Sequence, residues 1–161
     1  MVFGLTPFTL FHVVLSLVGI VAGFVALRGW LESSLRPAWT AVFLVTTIAT
    51  TLTGFLFPFA GFTPAIGVGL ISAILLALAV FALYRRHLLA RWRPIFIVTA
   101  IAALYLNSFV LIAQAFLKVP TLHALAPTGT EPAFAVAQGL LLLAFLALGY
   151  RATTRFRSLD A

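Results

Sequence analysis

Sorted into apolar and polar positions, the chain falls into five long apolar runs separated by short polar breaks. The runs cover roughly 8–29, 38–58, 64–84, 94–117 and 132–151. Each is close to the twenty or so helical residues needed to cross a hydrocarbon core about 30 Å thick. They are continuous rather than alternating, which argues against strands, and an open sheet cannot satisfy its edges in lipid. Proline marks the boundaries: Pro7, Pro37, Pro64, Pro94 and Pro132 open runs, and Pro58 follows the second. A proline in a first helical turn gives up no hydrogen bond. The pattern predicts an all-α integral membrane protein built as a five-helix bundle. Residues 1–161 form a single membrane domain, with 118–131 as its longest exposed loop.

Composition agrees with this reading and removes competing classes. With 63% hydrophobic and 8% charged residues and a mean hydropathy of +1.20, no stretch is left for a separate soluble domain. The net charge of +7 suggests nucleic acid until the basic residues are placed. Arg28 and Arg36 flank the first connection, Arg85, Arg86, Arg91 and Arg93 crowd the third, and Arg151, Arg155 and Arg157 follow the fifth run, leaving Lys118 alone in the fourth connection. Basic residues collect in short cytoplasmic loops, so this is a topology signal, with the N-terminus outside and the C-terminus cytoplasmic. Trp30, Trp39 and Trp92, with Tyr84 and Tyr150, are expected as an aromatic belt at that interface. The first run has no basic flank before it and reads as a retained helix rather than a secretory signal. A bacterial inner membrane is the expected location, with anionic lipid head groups as partners of the arginine clusters and no nucleic acid.

Cysteine is absent, which excludes disulfides, thiolate metal sites, iron–sulfur ligation and cysteine nucleophiles. The acidic residues Glu32, Glu131 and Asp160 all lie outside the apolar runs, so no paired intramembrane carboxylates exist for acid–base work. The chain therefore leans away from being an enzyme.

In lipid, small and polar residues identify the faces that meet protein. The first run carries His12, Ser16, Gly19, Gly23 and Ala26 as one stripe. The second holds Thr46, Thr47, Thr50, Thr51 and Thr53, whose hydroxyls can return to carbonyls one turn earlier. The fourth places Ala100, Ala103, Asn107, Gln114 and Lys118 on a stripe, with Asn107 near the midplane, where an unpaired amide is costly and must point into protein. Gln138 in the fifth is expected to face the same interior as Gln114. In the loop 118–131, Thr121 is expected to cap a short turn beside His123, and Thr130 to cap the fifth helix with Glu131 in its first turn. Phe55, Phe57, Phe59 and Phe62 reach the same side and form a candidate roof over an apolar ligand.

The candidate binding residues are thus His12, Thr47, Thr50, Asn107, Gln114, Lys118, His123 and Gln138, around a polar cavity between the first, second, fourth and fifth helices that opens outward. The first reading is a transporter, channel or binder of a small molecule or ion. The alternatives are a haem- or quinone-binding redox protein using His12 and His123, and a non-catalytic subunit of a larger membrane complex. No cofactor or metal is predicted, and a homo-oligomer or membrane complex is the expected assembly.

Overall fold

The computed structural model describes residues 6–58 and 61–157. Six helices follow in chain order: α1 Pro7–Leu31, α2 Pro37–Gly54, α3 Pro64–Val80, α4 Trp92–Lys118, α5 Pro120–His123 and α6 Pro132–Arg155. A π-helical turn, Phe81–Arg85, extends α3, and no strand occurs among the described residues. With that turn included, five helices are long and apolar enough to cross a membrane. All five spans read from the sequence exist.

Local chemistry explains the ends. Thr6 and Thr63 cap α1 and α3 by accepting from the amides of Thr9 and Ile66, and proline stands in the first turn of each. The second span stops at Gly54, short of its expected end at 58, because Phe55 and Leu56 turn back onto Leu52 and Thr53. The fourth and fifth run longer than expected, from Trp92 and to Arg155, since helical hydrogen bonds continue past the apolar run. Two caps differ from expectation. Thr130 does not cap α6; Glu131 stands at that position, and its carboxylate turns back toward Thr128 and Thr130. Thr121 likewise caps nothing, for Val119 precedes the single turn of α5.

Helix α4 is the axis of the bundle, meeting α1, α2, α3 and α6, and it is the most enclosed span; α6 is the least. The apolar core lies in the half of the bundle that ends in arginines. Trp30, Phe43, Phe96, Ile97 and Leu104 are fully enclosed there. Trp30 thus departs from the aromatic-belt expectation: it packs on Phe96 and Phe43 with ring centroids 5.3 and 6.2 Å away, while Trp39 is exposed. Its helix position turns it inward, where an indole buries more area than any other side chain. Gly29 lets the first connection fold tightly, since a Cβ there would stand 2.7 Å from the Arg36 side chain and 2.8 Å from the Ser34 carbonyl. Arg28 and Arg36 both engage Glu32, and their hydrogen bonds, Arg28 first, hold its carboxyl below the ordinary carboxylate range. Ser33 ties this connection to the segment after α6, donating to the Arg157 carbonyl at 2.6 Å. At the third connection, the Arg86 guanidinium lies over the Trp92 and Phe81 rings at 5.0 and 5.5 Å.

Candidate functional site: a polar seam and a lateral groove

Beyond the apolar core, toward the end opposite the arginines, side-chain hydrogen bonds join the helices. Ser16 on α1 donates to the Asn107 carbonyl oxygen at 2.7 Å, and the Asn107 amide nitrogen returns to the Ser16 backbone carbonyl at 3.4 Å. Asn107 therefore pairs with α1 rather than with the threonines of α2. About one turn outward, His12 meets Thr53 at 2.8 Å. The Thr53 hydroxyl already donates to the Ala49 carbonyl at 2.7 Å, so it accepts here and His12 donates through Nδ1, keeping a lone pair on Nε2. Phe57 covers the imidazole edge-on at 5.1 Å, and the Phe8 ring packs in turn on Phe57 at 5.0 Å.

The threonines divide as their chemistry allows. Thr46, Thr50, Thr51 and Thr53 donate to carbonyls one turn earlier and are nearly neutral to lipid. Thr47 does not: it is buried, and its hydroxyl has no hydrogen-bond partner among the described residues. It faces Gly19. A Cβ on that glycine would stand 3.0 Å from the Thr47 hydroxyl, 3.1 Å from that of Thr46 and 3.4 Å from the Asn107 amide nitrogen. At Gly23 the approach is closer, 2.5 Å from Leu104 and 2.9 Å from Phe43. The stripe on α1 is therefore a packing face pressed against α2 and α4.

His12, Thr47 and Asn107 lie along this seam, whereas the Thr50 hydroxyl bonds back to the Thr46 carbonyl of its own helix. The other candidates are not. Gln138 is buried between α6 and α4, donating to the Phe109 carbonyl at 3.1 Å with its own carbonyl oxygen unpartnered among the described residues. Gln114, which was expected to share its interior, is exposed, as are Lys118 and His123. Phe55 packs against Gly69 on α3, Phe62 is exposed, and Phe59 lies outside the described residues. Among the described residues no three His, Asp or Glu side chains gather as a metal site. In the loop, the amides of Thr128, Glu131 and Thr130 and the Thr128 hydroxyl, the Thr128 amide foremost, hold the Glu131 carboxyl down to about 2.

A hollow that the polar residues do not announce lies between α4 and α6. It is a groove of about 300 Å³, walled by Val98, Ile101 and Tyr105 on one side and Leu142, Phe145 and Tyr150 on the other. Ala102 and Gly149 leave it open; a Cβ at Gly149 would meet nothing nearer than Ile101 at 3.8 Å. The signal for it was two small residues among large ones on facing helices, which single-helix stripes do not reveal. Val98 also borders a second hollow that continues to Pro94 and Arg91. Comparison with known families, with curated proteins and with solved structures finds no match for this chain.

Proposed function

We propose that this integral membrane protein binds a small apolar or amphiphilic molecule in the α4/α6 groove. The observation that carries this reading is the groove itself, of about 300 Å³ and lined almost entirely by apolar side chains, at the small end of ligand-site volumes. The seam supports it from the other side. Ser16 pairs with Asn107 and His12 with Thr53 across helices, and α1 is pressed against its neighbours at Gly19 and Gly23, which favours a closed bundle over a polar conduit. The positive-inside bias supports an orientation with the arginine-rich end in the cytoplasm and the N-terminus outside, and a bacterial inner membrane is the proposed location. The outward face of α6, with Val136, Leu140, Leu143 and Leu146 exposed, suits lipid or a further subunit.

Native mass spectrometry of protein extracted in a mild detergent tests the reading. The wild type is expected to retain an adduct, Gly149→Leu to lose it, and Gly139→Leu to keep it. Gly139 is a matched control on the same helix, with nothing within 4 Å of an added Cβ. The adduct's mass also decides the redox alternative, which the open Nε2 of His12 favours: a haem or quinone mass lost in His12→Ala but kept in Gly149→Leu would move the site to the seam.

A further inference from the structure

The groove shares Val98 with a second hollow that Arg91 lines, and that gives its occupant a charge and a length. Along α6 it runs from Leu142 to Thr153, eleven residues at a rise of about 1.5 Å, or about 16 Å in all. That is half of a hydrocarbon core about 30 Å thick, the depth of one leaflet. Toward the midplane it is bordered by Leu142 and by Tyr105 and Phe145, whose rings pack 5.7 Å apart. At the other end the adjoining hollow passes Val98 and reaches Arg91. Arg91 is exposed and has no carboxylate partner among the described residues; Glu32, the acid described at that end, is held by Arg28 and Arg36. Tyr150, also exposed, stands at the mouth with its hydroxyl unengaged among the described residues.

We infer that the groove holds one acyl chain of an anionic phospholipid from the leaflet at the arginine-rich end, with the head-group phosphate met by Arg91 and Tyr150. This rests on the groove being the binding site proposed above. The tail and the head are recognised separately. The apolar walls take any acyl chain of one leaflet's depth, whereas a guanidinium matches the paired oxygens of a phosphate and favours a lipid whose net charge is negative. One arginine near a membrane surface is expected to give about a fivefold preference for an anionic over a zwitterionic head group.

The test equilibrates full-length protein in detergent with equal amounts of phosphatidylglycerol and phosphatidylcholine of identical acyl chains and reads the retained lipids by native mass spectrometry. Wild type is expected to retain phosphatidylglycerol about fivefold over phosphatidylcholine. Arg91→Gln is expected to bring the ratio to near one with total retention kept, because the backbone bond from the Ile95 amide to the residue-91 carbonyl is unaffected. Arg155→Gln, at the same end but outside the groove lining, is expected to leave the ratio as in wild type. An equal fall in both arginine variants would overturn the Arg91 site in favour of a diffuse field. If Gly149→Leu abolishes retention of both lipids while no arginine affects the ratio, the groove reading stands and the anionic assignment falls. If Gly149→Leu retains both, the groove reading itself falls.

Discussion

Asn107 and Thr47 flank the same glycine, and their energetics differ in sign. Asn107 makes two bonds to Ser16, and interhelical hydrogen bonds in membranes average about 0.6 kcal/mol, with a maximum near 1.7. Asn107→Leu should therefore lower the unfolding free energy by about 1 kcal/mol in a detergent-unfolding titration. Among the described residues the Thr47 hydroxyl has no bond to lose, and it carries the cost of a buried unpaired group, about 1–3 kcal/mol. Thr47→Val should be neutral or stabilising in the same titration; a loss as large as that of Asn107→Leu would mean that the hydroxyl is engaged. At this scale the sequence identified the right residue types more often than the right partners. That Asn107 must face protein follows from the cost of a bare amide in lipid, but Ser16 and the threonines of α2 offered equivalent oxygens. Only the rotation of α1 about its axis, set by Gly19 and Gly23, selects Ser16. Gln114 shows the converse: its position on the stripe of α4 was legible, yet α6 lies along a different face, and the side chain remains exposed.

Helix existence was the most legible property, because twenty continuous apolar residues leave few alternatives. Ends were less so. Thr130 and Glu131 both suit a helix start, and the choice between them turned on the loop, where Gly129 at φ +75° lets Thr128 and Thr130 point their amides at the Glu131 carboxylate. The bonded carboxyl titrates at about 2 against an ordinary 4.5. Its folded value is lowered, so its contribution to stability is complete above about 4.5 and is lost as pH falls through about 2. The difference in thermal midpoint between wild type and Glu131→Gln should accordingly be constant above pH 4.5 and shrink toward zero as pH falls toward 2. The glycines of the helices separate cleanly by their surroundings. Gly23→Ala puts a methyl 2.5 Å from Leu104, which is fully buried beside fully buried Phe43 and cannot yield; overpacking of this kind costs about 1–3 kcal/mol. Gly54→Ala meets only the His12 ring at 3.6 Å and should be neutral or slightly stabilising. A detergent-unfolding titration of the two variants checks the contrast.

Across the whole molecule, apolar packing holds the arginine-rich half and hydrogen bonds hold the other, with α4 common to both. The sequence placed polar groups toward one end and suggested a cavity among them. In the folded chain those groups pair across helices, and the α4/α6 groove lies where the sequence is plainest, among Val, Ile, Leu and Phe. Neither α4 nor α6 alone carries a sign of it, because a groove is a property of two facing surfaces. On this reading the bundle is closed at its seam and open sideways to lipid. Because the chain has no cysteine, single-cysteine variants report this without background. Ser16→Cys and Gly149→Cys, reconstituted in nanodiscs, are each exposed to a membrane-impermeant thiol reagent and to a bilayer-dissolved one. Position 16 is expected to resist both reagents, and position 149 to react from the bilayer alone. Rapid modification of position 16 by the water-soluble reagent would reveal an aqueous cavity at the seam and rule out a closed bundle.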